Sequence, residues 1–269
     1  EKMNEKLGKK LFITGKGRCN VTNACEREKL FENVVSNPKF LYSAFSEFDN
    51  GDLMELLRRA GCPLKVERGE RVFPVSDHAS DVTAALTRLL KEGGVEVRLR
   101  VKVKEISAAD GRVTGVLPAD GQYIRADAVV LATGGLSYPT TGSGGDGHRM
   151  AEGLGHTLKT CTPALTPMET AEQWCTSLQG LSLKNVTLTM RCGGKQIWNG
   201  FGEMLFTHFG ISGPLVLSAS SYYGKCKDKT AVTATVDLKP ALTMEQLDRR
   251  ILRDFEENRN KQFKNVIGS

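Results

Sequence analysis

Two glycine-rich strings hold the residues best suited to binding chemistry. Gly15-Lys16-Gly17-Arg18-Cys19-Asn20-Val21-Thr22-Asn23 combines open backbone N–H donors, side-chain amides, a fixed positive charge and a thiol. Such a set suits a pyrophosphate or the polar edge of a flavin ring. A β-turn held by Asn side chains also explains Gly and Asn, though not the whole string. Further on, Val129-Val130-Leu131-Ala132-Thr133-Gly134-Gly135 reads as an apolar strand entering a Thr-Gly-Gly turn, with Asp127 just upstream. Glycine at a strand end admits a ligand that a Cβ would obstruct. In open α/β sheets ligands collect beyond the carboxyl ends of strands, so this turn is a candidate wall of a cofactor site, facing the Gly15–Asn23 loop across one cleft. The polar, glycine-rich Leu136–Gly147 leads into a helical pattern at Met150, Ala151 and Leu154, for which Asp146 is a candidate cap.

Groups for acid–base or nucleophilic work are sparse. Of His78, His148, His156 and His208, the last has the best context, lying between two aromatic residues in Phe206-Thr207-His208-Phe209-Gly210. That stretch equally prepares a helix start at Pro214, since proline suits the first helical turn. Cys19, beside Arg18, is a candidate nucleophile or a packing residue. No catalytic residue is assigned.

The elements that must position these groups are legible in coarse form. Lys10–Ile13 reads as a short apolar strand before the first glycine loop. Phe40, Leu41, Ala44, Phe45 and Phe48 recur at helical spacing, predicting a helix over Lys39–Phe48 with its phenylalanines in a core. Asp49 or Asn50 starts a second helix through Ala60, stopped by Gly61 and Pro63. A hairpin turns at Arg68-Gly69. Ser76 or Asp77 then caps a helix with the stripe Val82, Leu86, Leu89 and Leu90, ended by Gly93-Gly94. From Val95 the period becomes two, predicting a β-meander with turns at Asp110-Gly111 and Asp120-Gly121 that ends in a buried strand over Asp127–Ala132. Beyond Pro163 short strands are expected at Val186–Arg191, Lys195–Trp198 and Thr230–Leu238. Thr243-Met244-Glu245-Gln246 has the form of a capping box opening a last helix.

The strings TGKGRCNVTN, ATGGLSYPTTGSGGDG and GEMLFTHFGISGP, in this order and spacing, resemble three signatures of the BaiN-like, aminoacetone-oxidase-like bacterial flavoproteins, which are NAD(P)/FAD-dependent oxidoreductases. The resemblance covers essentially the whole chain. It implies an α/β fold: a Rossmann-like FAD-binding domain with a β-meander over 1–163, and an inserted β-barrel-like domain with helices over 164–269. It also implies FAD as cofactor, NAD(P)H as candidate reductant and a small-molecule substrate, with hydride passing between flavin and substrate in enone-type C=C reduction or amine oxidation. The implied cofactor-binding positions are Glu1 (toward the adenosine ribose), Lys9, Gly15, Gly17, Arg18, Cys19, Asn20, Val103 (toward adenine), Ala132, Thr133, Gly134 and Gly135. Members of the family open with a GxGxxG turn and close with a further glycine-rich segment. Neither is present in these 269 residues, so the chain reads as an internal piece that alone binds FAD weakly. An RNA-modifying flavoenzyme, or a cofactor-free scaffold, are the alternatives.

Composition sets outer bounds. Forty per cent hydrophobic and 25% charged residues are ordinary globular values. No apolar run approaches a membrane span of about 20 residues. The net charge of +6 is spread among interleaved acids, which argues against a nucleic-acid footprint; an RNA enzyme would need a contiguous Lys/Arg face. Seven cysteines without a C-x-x-C pair argue against a disulfide framework or structural zinc and suit a reducing cytoplasm; no metal is expected. Sequence leaves the oligomeric state open.

Overall fold

In the computed structural model, which describes residues 1–260, the chain divides into two units, Glu1–Lys159 and one beginning at Thr160. The first contains α1 (Lys9–Ile13), β1 (Thr22–Asn23), α2 (Arg27–Glu32), α3 (Tyr42–Glu47), α4 (Asn50–Arg59), β2 (Leu64–Glu67), β3 (Arg71–Pro74), α5 (Ala79–Glu92), β4 (Val103–Ala109), β5 (Arg112–Pro118), β6 (Ile124–Arg125) and α6 (Asp146–Gly153). The second contains β7 (Met168–Glu169), α7 (Trp174–Ser177), β8 (Ser182–Cys192), β9 (Lys195–Thr207), β10 (Gly210–Ser212), α8 (Pro214–Tyr223), β11 (Val232–Asp237) and α9 (Met244–Glu257). All strand pairs among the described residues are antiparallel, in sheets ordered β1-β3-β2, β4-β5-β6 and β11-β8-β9-β10-β7.

Local signals start the helices where short-range chemistry is strongest. Asp49 caps α4 by accepting from the Gly51 and Asp52 amides, while Asp52 returns a bond to the Asp49 N–H. Thr243 and Gln246 make the same reciprocal pair at α9. The apolar face of α4, with Met54, Leu57 and Ala60, packs near the face of α5 that carries Ala79, Val82 and Ala85. Leu57, Ala60 and the α5 residues form one core with Cys19 and Cys62. In the second unit Val186, Leu188 and Met190 alternate inward along β8 and meet Met204 and Phe206 of β9 and Leu215, Val216 and Ala219 of α8. β9 runs on past Trp198 to Thr207, and Gly200 and Gly202 within it sit under Leu215. A Cβ at either would stand 3.3 Å from the Leu215 Cδ2 atom, so glycine lets helix and strand close together.

Several expectations need correction. Lys9–Ile13 is helix, not strand. Three apolar residues are too few to distinguish the two, and Leu11 turns toward the α4–α5 core. The helix expected over Lys39–Phe48 is a 3₁₀ turn at Pro38–Leu41 followed by α3. Its phenylalanines do not form a core: Phe40 is 79% and Phe48 49% exposed, and Phe45 makes a T-shaped contact with Phe31 at 5.5 Å. Neither Ser76 nor Asp77 caps α5. His78 is its N-cap, and Asp77, at φ 59°, gives its carboxylate to Lys65 and Arg18. Asp146 lies inside the first turn of α6 after Gly145, ion-paired with Lys2 and Arg149. The stretches 95–101 and 127–132 are not strands. Beyond α5, the backbone of the first bonds among the described residues only to Glu1, whose amino group donates to the Arg98 carbonyl at 3.0 Å and whose carbonyl accepts from the Val101 amide at 2.9 Å; the second joins none of the three sheets. Val130, expected to be buried, is 87% exposed.

Candidate functional site

The first unit carries a cleft of about 430 Å³ lined by polar and charged side chains. Its floor is made by residues far apart in sequence, tied together by three side chains of the N-terminal stretch. The Asn4 amide nitrogen donates to the Glu1 carboxylate and to the Thr141 carbonyl, each at 3.0 Å. Lys9 donates to the Thr140 carbonyl at 2.9 Å. Lys10 donates to the Ser137 carbonyl at 2.9 Å and the Ser143 hydroxyl at 2.7 Å. Two left-handed glycines complete the wall. At Gly142 (φ 103°) a Cβ would stand 3.3 Å from the Glu1 carboxylate, and at Gly134 (φ 72°) 2.7 Å from the Ser143 hydroxyl. Both are positions where only glycine sits without strain.

The cleft brings together Glu1, Lys9, Val103, Ala132, Thr133 and Gly134 of the residues expected from sequence. Gly135 is exposed and not part of its lining. The Gly15–Asn20 loop does not line it either. Gly15 and Gly17 belong to a 3₁₀ turn over Thr14–Gly17, and a Cβ at Gly15 would meet the Phe73 ring at 2.7 Å. Arg18 stacks over Phe73 at 4.0 Å and donates to Glu67 at 2.9 Å and Asp77 at 3.2 Å. Lys65 adds a contact of 2.6 Å to Asp77. The resulting four-charge cluster raises the Arg18 pKa, chiefly through Glu67. It holds the Glu67 carboxyl low through Arg18 first, and the Asp77 carboxyl low through Lys65 first. Cys19 is fully buried against Leu57 and Cys62, and burial pushes its thiol up, which disfavours a nucleophilic thiolate. Asn20 is exposed.

Sequence reading missed Asn4, Lys10 and Ser143. Asn4 is the most telling. It is 5% exposed, and its Oδ1 is buried with no hydrogen-bond partner among the described residues. An orphaned acceptor at the edge of a cleft whose neighbouring acceptor is the Glu1 carboxylate suits a ligand rich in hydroxyl or amino donors. The nearby ammonium groups of Lys9 and Lys10, bonded among the described residues only to neutral carbonyl and hydroxyl oxygens, suit an anionic portion of the same ligand. A volume of 430 Å³ lies in the ordinary range for a ligand pocket. The cleft therefore fits the polar half of a nucleotide. A second hollow of about 410 Å³ shares Val103, Asp146 and Met150 with it.

Residues 1–220 match the family described as HI0933-like protein Rossmann domain. The chain belongs to this family. It is 30% identical over 245 residues to the 3-dehydro-bile acid delta(4,6)-reductase of Clostridium scindens, an alignment covering 90% of this chain and 58% of that protein. It is also 30% identical to ribosomal RNA dihydrouridine synthases: that of Haemophilus influenzae over 246 residues (90% of this chain, 58% of the relative), and that of Escherichia coli over 219 residues (81% and 53%). The chain thus spans somewhat more than half the length of these curated relatives. The BaiN-like resemblance stands, and the first unit lies within the Rossmann-type match. No described helix is long and apolar enough to cross a membrane, and no group of three or more metal-ligating side chains occurs among the described residues.

The third signature, Gly202–Pro214, has a structural account. His208 is exposed in the turn between β9 and β10, with its ring edge-on to Phe209 at 4.9 Å. Gly210 and Gly213 lie against backbone, and Pro214 opens α8 at its first position.

Proposed function

We propose that this chain forms part of an FAD-dependent reductase that saturates a carbon–carbon double bond conjugated to a carbonyl, with NAD(P)H as electron source. The observation that carries the reading is the cleft around Asn4, where acceptors, ammonium groups and left-handed glycines converge as an adenosine diphosphate moiety requires. Glu1 and Asn4 would accept from ribose hydroxyls, while Lys9 and Lys10 would balance phosphate charge. Bound FAD would supply the two-electron hydride chemistry that amino-acid side chains lack. The relatives' names favour the reaction class. A bile-acid delta(4,6)-reductase and a dihydrouridine synthase both reduce a C=C bond that a carbonyl activates, so one net addition of hydride and proton describes both. Amine oxidation gains no comparable support. An RNA substrate is the second reading, favoured by the two ribosomal RNA enzymes among the relatives.

The test uses the full-length protein. It is expected to carry flavin absorbance, to bleach anaerobically with NADH or NADPH, and to recover colour on adding a steroid dienone or unmodified ribosomal RNA. The recovering substrate decides between the two readings. Recovery only with oxygen, or reduction by aminoacetone, overturns the reductase assignment. Glu1→Gln should weaken FAD binding by roughly 10- to 100-fold, the loss of one charge-assisted hydrogen bond of about 1.5–3 kcal/mol. Unchanged affinity would remove Glu1 from the site.

A further inference from the structure

In the second unit the loop after α8 reads Gly224-Lys225-Cys226-Lys227-Asp228-Lys229-Thr230. Its three lysines are exposed, and so is Lys195 at the start of β9. The fold brings the four together. Lys195 pairs with Cys192 at the end of β8, the Cys192 Sγ lies 3.7 Å from the Asp228 carbonyl, and the Gly193 amide donates to the Ala231 carbonyl at 3.0 Å. The loop therefore lies along the β8–β9 turn. Lys229 stands 5.5 Å from the centre of the Tyr223 ring, against the end of α8. Elsewhere in this unit cations are answered by acids: Arg250 and Arg253 of α9 reach Asp254 and Glu257 one turn on. None of the four lysines has an ion-pair partner among the described residues. Asp228 is the one acid in the loop, and its carboxylate is folded back to accept from the Thr230 amide at 2.9 Å and hydroxyl at 2.6 Å.

We infer that Lys195, Lys225, Lys227 and Lys229 form a docking surface for the phosphodiester backbone of an RNA strand. Neighbouring cations without acid partners repel one another and present a field that a polyanion relieves. The residues between them decide which polyanion. Neither Gly224–Thr230 nor the Gly193-Gly194 turn contains Leu, Ile, Val, Phe or Trp. A membrane-binding surface needs such side chains to enter the acyl boundary. A protein interface is built on an apolar or aromatic centre and is depleted in lysine. Lysine ammonium groups on flexible stems instead suit phosphates as point charges, positioning a strand without reading its bases. The choice of RNA as the strand rests on the second functional reading, an RNA substrate. Each phosphate neutralised on a single strand lowers the slope of log K against log salt by about 0.7, so four contacts give about −2.8, or roughly 50-fold between 50 and 200 mM salt.

The experiment titrates the full-length protein with a fluorescein-labelled single-stranded RNA of mixed sequence and reads anisotropy between about 50 and 200 mM salt. Combining Lys225→Gln, Lys227→Gln and Lys229→Gln should make the slope shallower by about 2 and weaken binding roughly 10- to 100-fold near 100 mM salt. The control combines Lys39→Gln, Lys91→Gln and Lys159→Gln, exposed positions of the first unit. It removes the same net charge and should leave the slope unchanged. Equal losses in the two triple variants, or no loss in either, overturn the surface. So does a loop variant that binds RNA normally but loses binding to phosphatidylserine vesicles or to polyglutamate, which would assign the lysines to a membrane or an acidic protein. A DNA strand of the same sequence that displaces the RNA at lower concentration overturns the choice of RNA. Turnover separates the surface from the substrate reading. If ribosomal RNA fails to reoxidise the reduced protein while RNA still binds through the loop, the substrate reading falls and the surface stands. If it reoxidises the loop variant with an unchanged KM, the surface falls and the reading stands.

Discussion

Gly210→Ala separates two meanings of the Thr-His-Phe-Gly motif. If its glycine exists to admit a ligand, alanine should leave folding intact and impair binding alone. The structure indicates otherwise. A Cβ at Gly210 would lie 2.4 Å from the Met168 carbonyl oxygen, 2.8 Å from the Thr170 nitrogen and 3.0 Å from the Glu169 Cα. All three are backbone atoms of β7 and its exit, which no rotamer change can move aside. The backbone at φ 149° adds a conformational cost. Overpacking of this kind costs about 1–3 kcal/mol, and an unfavourable positive φ about 1–2 kcal/mol. The expected loss is therefore roughly 2–5 kcal/mol. Gly194→Ala is the control, since Gly194 has φ 79° with nothing within 4 Å of the added carbon. It should lose only the conformational part, about 1–2 kcal/mol.

Tryptophan emission during urea unfolding reads the difference directly. Both tryptophans, Trp174 and Trp198, lie in the second unit, and Trp174 contacts Phe206 at 6.1 Å, close to the β9–β10–β7 region. With a slope of about 2 kcal/mol per molar urea, Gly210→Ala should lower the midpoint by about 1–2.5 M and Gly194→Ala by about 0.5–1 M. Equal midpoints for the two variants would refute the close-packing argument and return Gly210 to the list of ligand-facing positions.

Two further outcomes follow from the charges of the first unit. Asp49→Ala removes the side-chain half of the α4 capping box and the Arg27 partner, and should cost about 1 kcal/mol, seen in the circular-dichroism melt; a loss under about 0.3 kcal/mol would mean the cap contributes nothing. Glu67 and Asp77 are held below ordinary carboxylate values in the fold, so their contribution is complete above the unfolded values near 4 and falls as pH drops through the lower folded values. Between pH 5 and pH 3 the wild type should therefore lose more stability than Arg18→Gln; parallel pH curves would show that the cluster is not linked to folding.

Short-range chemistry was legible in the sequence, and pairing was not. The boxes at Asp49 and Thr243, the hairpin turns at Gly69, Gly111 and Gly193, and the proline start of α8 all depend on residues within four positions of one another. The failures share one cause. Val95, Val97 and Leu99 alternate as a strand does, and Val129–Ala132 is apolar as a buried strand is, yet alternation says only which residues share a face. A strand also needs a neighbour along its length to take its N–H and C=O groups. Beyond α5, the backbone of the first stretch meets only Glu1 among the described residues, at Arg98 and Val101, while the second joins none of the described sheets. The same distinction governs the site. Thr133 and Gly134 were visible because glycine after an apolar run is a local signal. Asn4 was not, because nothing around it marks it: its importance comes from Thr141, 137 residues away, occupying its amide and leaving its oxygen unpaired. The loop at Gly15–Asn20 shows the converse. Its composition would serve a ligand, but Phe73, Glu67 and Asp77 already engage Gly15 and Arg18, so its glycines and its arginine are accounted for by packing on the β2–β3 hairpin. Composition identifies what a loop could bind, and only the neighbours brought by the fold decide whether those groups are still free.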